Sequence, residues 1–123
     1  MSALGPVSDL RGMLTGKAPV LDARRWDFAL VEGNPPSDAF AVICEEEGTT
    51  VIVAQDSGGF ARITLTVHSA LDGVGLTAAV AGGLAGAGIA CNVVAGYHHD
   101  HLFVPWERRD EALAIFQRLA GAA

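Results

Sequence analysis

Alternation of apolar and polar side chains is clearest between Ala61 and His68. Ile63, Leu65 and Val67 fall on one side there, and Arg62, Thr64, Thr66 and His68 on the other. A period of two among β-branched residues predicts a strand with one buried face. Ser69 to Gly75 breaks the rhythm. From about Val74 to Ala87 the apolar spacing becomes three and four, through Leu76, Val80, Gly83, Leu84 and Ala87, which predicts a helix with one apolar stripe. The Ala and Gly positions elsewhere on this helix are expected to let it lie close to a sheet. Gly88 is its expected C-cap, because glycine takes left-handed backbone without a Cβ penalty.

A second strand is predicted over Ala90 to Tyr97, with Cys91, Val93 and Ala95 set against Asn92, Val94 and Gly96. A polar turn, His98-His99-Asp100, leads to a third strand from His101 to Pro105, which the proline closes. Glu107, Asp110 and Glu111 then bring negative charge to the first turn of a second helix, where the dipole favours it. Ala112, Leu113, Phe116, Leu119 and Ala120 form the expected buried face of that helix. The order β-α-β-β-α lacks a closing strand, so an earlier strand is expected to complete the sheet. Candidates are Pro19 to Asp22, Trp26 to Glu32, Phe40 to Cys44 and Thr50 to Ala54, after a short helix over Val7 to Leu14. Asn34-Pro35-Pro36 and Glu45-Glu46-Glu47-Gly48 are the breaks between them. The texture changes near Gln55 to Gly59, so the chain divides into halves of 1–57 and 58–123 within one compact unit.

Composition narrows the function. Half of the 123 residues are apolar and 18% are charged, enough to bury a core against chain entropy. The formal charge is −6, and the basic residues Arg24, Arg25, Arg62, Arg108 and Arg109 are scattered along the chain, which argues against a nucleic-acid partner. No apolar run reaches the ~18–20 residues that cross a bilayer, so no membrane partner is expected. The first residues lack the charged start and apolar centre of a signal peptide. Cys44 and Cys91 lie in apolar, strand-like runs and are expected as buried thiols of a reduced, cytoplasmic protein.

Candidate chemistry concentrates at the first strand-to-helix turn. Two glycines there, Gly73 and Gly75, expose backbone N–H groups at the positive end of a helix, a place suited to a carboxylate. Ser69 adds a hydroxyl, Asp72 either caps the helix or receives an ammonium group, and Asn92 on the neighbouring strand reads either group. The purely structural alternative makes Asp72 an N-cap, the glycines a packing device and Asn92 a partner of backbone. His98-His99-Asp100-His101 has the chemistry of a metal site. Strand geometry allows only His99 with His101, or His98 with Asp100, to converge, with His68 or Glu45–Glu47 the available third ligands. Otherwise the run is a polar hairpin whose Asp100 binds turn N–H groups. Glu45–Glu47 reads as a solvated turn, and Trp26 and Trp106 as core or dimer-interface side chains. Cys91 has no basic neighbour to activate it, and no nucleophile motif, phosphate loop or paired zinc-ligand motif appears, so neither an enzyme nor a cofactor is expected.

The segments Arg62-Ile-Thr-Leu-Thr-Val-His-Ser69, Val74-Gly-Leu-Thr-Ala-Ala-Val80, Ile89-Ala-Cys-Asn-Val-Val-Ala-Gly-Tyr97 and Asp100-His-Leu-Phe-Val-Pro105 together resemble a bacterial ACT-domain family of small proteins. Glu45-Glu-Glu-Gly-Thr-Thr50 and the strand after it resemble that family's first half. More distantly, the chain is similar to the tandem ACT architecture of the cytosolic arginine sensor CASTOR. The resemblance implies an α+β, ferredoxin-like βαββαβ fold in two ACT-like halves, the N-terminal one degenerate and β-rich. It also implies a homodimer and a small-molecule ligand, an amino acid in many relatives. The ligand would sit beside Ser69, Ala70, Leu71, Asp72, Gly73, Val74, Gly75 and Leu76, with Asn92 near. Asp72 stands where the family often has proline, so the loop is expected to differ in shape. A dimerising scaffold without ligand, and a metal-binding protein acting through His98–His101, are the alternatives.

Overall fold

The computed structural model describes residues 19–65 and 76–122. Along the chain run β1 (Val20–Leu21), β2 (Trp26–Val31), β3 (Ala41–Cys44), β4 (Thr49–Ala54), β5 (Phe60–Leu65), α1 (Leu76–Gly86), β6 (Asn92–Ala95), β7 (Asp100–Pro105), a single 3-10 turn (Trp106–Arg108) and α2 (Arg109–Ala122). The expected helix at Val7 to Leu14 lies outside the described residues.

Strand β5 alternates as its sequence demands: Ala61, Ile63 and Leu65 are buried on one face. It pairs antiparallel with β7, and β7 pairs antiparallel with β6. Helices α1 and α2 cover the Ile63 face through Val80, Leu84, Ala112, Ile115 and Phe116. The sheet's other edge is closed by β1, whose Val20 faces Thr64 and whose Leu21 faces Ile63 and joins the helix-side core. An early strand does complete the sheet, and two residues suffice. The result is the α+β, ferredoxin-like arrangement, with a strand-rich N-terminal half.

The remaining strands form a meander in the order β3-β4-β2, which joins the rest of the sheet only where Trp26 meets Phe60. The sheet folds back on itself there. Phe28, Phe40 and Trp26 then press on Phe103 at ring-centroid distances of 5.4, 5.7 and 6.3 Å, building a second core on the face of β5 and β7 that the helices leave bare. That face, carrying Thr64, is therefore covered, although the sequence suggests an open surface.

Helix α1 ends at glycine for a visible reason. Gly88 has φ +72°, and the Ile89 and Gly88 N–H groups donate to the Leu84 and Ala85 carbonyls at 2.9 and 3.0 Å, with Ile89 buried behind them. This glycine-terminated hydrogen-bond pattern confirms the expected C-cap. Gly83 serves the contact between helices, not the one with the sheet: a Cβ there would stand 3.2 Å from Ile115 and 3.3 Å from Leu119, whereas Gly82 and Gly86 face open space. Arg108 Nη2 donates to the Ala87 carbonyl at 2.9 Å and ties the end of α1 to the start of α2. Among the described residues no helix is long and apolar enough to cross a membrane.

The turn into β5 is packed tightly. Gly58 is buried, and a Cβ on it would collide with the Trp26 backbone, while Gly59 beside it faces open space. Gly58→Ala is expected to destabilise the protein by about 1–3 kcal/mol, the usual cost of overpacking, and Gly59→Ala by less than about 1 kcal/mol. Urea denaturation of the two variants checks this; equal midpoints would refute it.

Candidate functional site

Leu65 ends β5 and Leu76 opens α1, so the strand and helix that frame the expected ligand loop are both present. Ser69, Ala70, Leu71, Asp72, Gly73, Val74 and Gly75 themselves lie outside the described residues. The first turn of α1 carries no acidic side chain, so nothing in it neutralises the positive end of the dipole. Asn92 is exposed at the start of β6. It is not on the strand next to β5, because β7 intervenes, and its register with Phe103 puts it on the face turned away from the helices.

The histidine run occupies the same end of the sheet as the loop. Gly96 N–H donates to the His99 carbonyl at 2.9 Å, so the turn spans Gly96–His99, and Asp100 already belongs to β7. His98 stacks edge-on against Tyr97 at 5.2 Å, and the His99 and His101 rings lie 6.4 Å apart. Among the described residues no group of three or more His, Cys, Asp or Glu side chains stands close enough to hold a metal ion. His101 instead belongs to the contact between layers. Its Nδ1 is 3.0 Å from Thr64 Oγ1, and its ring meets Phe40 at 4.9 Å. Burial first, then the charges of Arg62 and His99, hold its imidazole below the ordinary value, and Asp100 pulls weakly the other way.

Arginines that are scattered in sequence are gathered by the fold around two tryptophans. Arg24 and Arg62 each lie over the Trp26 ring at 4.7 Å, while Arg25 and Arg109 lie over Trp106 at 4.8 and 3.7 Å. Asp22 binds Arg62 Nη2 at 2.9 Å and takes two bonds from the Arg24 side chain at 3.0 Å. Those Arg24 bonds first, then its backbone N–H and Arg62, hold the Asp22 carboxyl far below the usual carboxylate range despite partial burial. No signal in the sequence marks this gathering, since only the folded register sets residue 62 against residues 22 and 26.

The cysteines differ from expectation. Cys44 is exposed at the end of the edge strand β3, and Cys91 is half-buried; neither is in a disulfide. Burial pushes the Cys91 thiol up to about 11, so it is not a nucleophile near neutral pH. Trp26 is core, as expected, and Trp106 is half-buried beneath its arginines.

Comparison with known proteins supplies the family. A family model described as the ACT domain matches residues 61–118. A solved Vibrio cholerae protein of unknown function, described as a possible transport protein, is 39% identical over 90% of this chain and 95% of its own, with a TM-score of 0.76. An Agrobacterium tumefaciens protein is 15% identical over 86% of this chain and 84% of its own, with a TM-score of 0.62. The ligand-free regulatory subunit of aspartate kinase from Thermus thermophilus is 11% identical over 86% of this chain and 97% of its own, at a TM-score of 0.64. The last two show the fold alone. Among curated proteins none matches the sequence.

The His101 environment sets a pH dependence. A lowered folded value means that the folded protein prefers the neutral ring, so this contribution is intact above the ordinary value of 6.5 and is lost as pH falls below it. Melting temperatures measured from about pH 7.5 down to about pH 5 should fall, and His101→Gln should flatten part of that slope. An unchanged slope in the variant would refute the assignment.

Proposed function

Because this chain belongs to the ACT-domain family, we propose that it is a cytoplasmic regulatory module that binds an amino acid, signals through a homodimer and catalyses no reaction of its own. The observation that carries the reading is the strand-to-helix connection from Leu65 to Leu76, with Gly73 and Gly75 in its sequence and an uncharged first helical turn after it. Backbone N–H groups at such a turn attract a carboxylate, and Asp72 and Ser69 offer partners for the ammonium group.

Dimer formation draws support from the sheet edges. Among the described residues no strand pairs with the outer edges of β3 and β6, and the side chains of Val42, Ile43 and Val93 on them are exposed, as is Tyr97 beside β6. A second copy is the natural cover for an apolar edge strand. Asn92, exposed on β6, lies where such a copy meets the sheet, which gives it a role at the interface.

A thermal-shift screen of the common amino acids tests the reading. A ligand at a hundredfold its dissociation constant adds about 2.7 kcal/mol of stability, a plain rise in melting temperature. Gly75→Val and Ser69→Ala should remove or weaken that rise, and sedimentation velocity should show a dimer whose association changes with the ligand. Flat melting curves across the panel at millimolar concentration would leave a dimerising scaffold in place of a sensor.

A further inference from the structure

The end of β5 opposite the ligand loop holds an open cleft of about 390 Å³, bordered by Arg24, Arg25, Gln55, Asp56 and Trp106. Two backbone bonds shape it: Trp106 N–H donates to the Gly59 carbonyl and Gln55 N–H to the Arg25 carbonyl, both at 2.9 Å. The six residues of β5 separate this cleft from the start of the Leu65–Leu76 connection, about 17 Å along the strand. Its volume lies at the lower end of the ~300–1,000 Å³ of small-molecule sites.

The charges around the cleft are arranged unusually for neighbours of opposite sign. Arg24 shares the Asp22 carboxylate with Arg62. Arg25 spends its Nε on the Gly58 carbonyl at 2.7 Å and lies over Trp106, and among the described residues nothing accepts from its two terminal nitrogens. Asp56 borders the same cleft, yet no ion pair joins it to Arg25. Arg25 and Asp56 therefore border the same cleft without pairing, with Trp106 and Gln55 beside them. A ligand with a carboxylate and an ammonium group gives Arg25 and Asp56 a partner each, and a lone anion or cation leaves one of the two without one.

We propose that this cleft is a binding site for a small zwitterion with an apolar portion: Arg25 takes the carboxylate, Asp56 the ammonium group, and Trp106 the apolar part. Arg109 stacks on Trp106 at 3.7 Å and donates to its carbonyl at 2.8 Å, which holds the ring in place. This site is independent of the glycine-bearing loop and needs no ligand there.

The test is a titration of the full ¹⁵N-labelled chain with L-leucine, 4-methylpentanoate (leucine without its ammonium group) and 3-methylbutylamine (leucine without its carboxylate). The backbone amides of Gln55 and Asp56 and the Trp106 indole, identified with a Trp106→Phe variant, are the readouts. Leucine should shift these signals to saturation, and each half-molecule should do so at least about tenfold more weakly. Arg25→Gln and Asp56→Asn should each weaken leucine binding about tenfold or more, the scale of one charge-assisted contact. Asp56 is exposed and makes no described bond, so its variant tests the site without disturbing the fold. The proposal is overturned if leucine shifts nothing at the cleft, or if 4-methylpentanoate binds there as well as leucine. Saturation confined to amides near Leu76 would also overturn it, while leaving the loop as the ligand site.

Discussion

A β-strand pair has two faces, and helices cover only one of them here. On the other, Arg62 lies opposite Phe103 in the β5–β7 register; Phe103 is fully buried and Arg62 partly so. A guanidinium in such a place must be compensated, because a buried unpaired charge costs several kcal/mol. Asp22 supplies the counter-charge at 2.9 Å, and the Trp26 and Phe40 rings cover the cation at 4.7 and 4.6 Å. Among the described residues Arg62 Nε and Trp26 Nε1 remain buried without a hydrogen-bond acceptor, while the ring contacts stabilise the Arg62 cation. The contact explains why the N-terminal strands fold back as they do: β1 places Asp22, β2 places Trp26, and the approach to β3 places Phe40.

Covering that face has a functional consequence. Among the described residues both faces of β5 and β7 are covered, one by the helices and the other by the meander. Exposed apolar side chains among those residues lie on the edge strands β3 and β6 and also at Val20 and Leu30. One end of the β5–β7 pair carries the connection to α1 and the Gly96–His99 turn; the other carries the arginine-bordered cleft beside Trp106. Contacts at both ends join the two halves of the chain, since His101 packs on Phe40 and Trp106 on Arg25.

Strands were legible because their periodicity is local. The described bounds of β2, β3, β4 and β7 fall within a residue of expectation, and Gly88 ends α1 where a left-handed residue is needed. The faces of α2 were less legible: Ile115 is buried at the contact with Gly83, because helix-to-helix packing selects it and a stripe in one helix does not. Cys44 reads as core from its apolar neighbours, yet it is exposed at the end of an edge strand. Of the candidate ligand site, the frame was legible from the change of period at Ser69, and the placement of Asn92 was not, because strand order is invisible to alternation.

What the sequence determined by itself was therefore the strands and helices of the described residues and the inward face of β5, since side-chain period and turn chemistry act between near neighbours. Tertiary structure alone decided that two residues, Val20–Leu21, close the sheet, and that Asp22, Trp26, Phe40 and Arg62 meet. It also decided that arginines far apart in the chain gather on two tryptophans. Those contacts span forty residues of chain between Asp22 and Arg62. Such contacts exist only once the β5 register and the fold-back at Trp26 bring the segments together, and no local pattern encodes that distance.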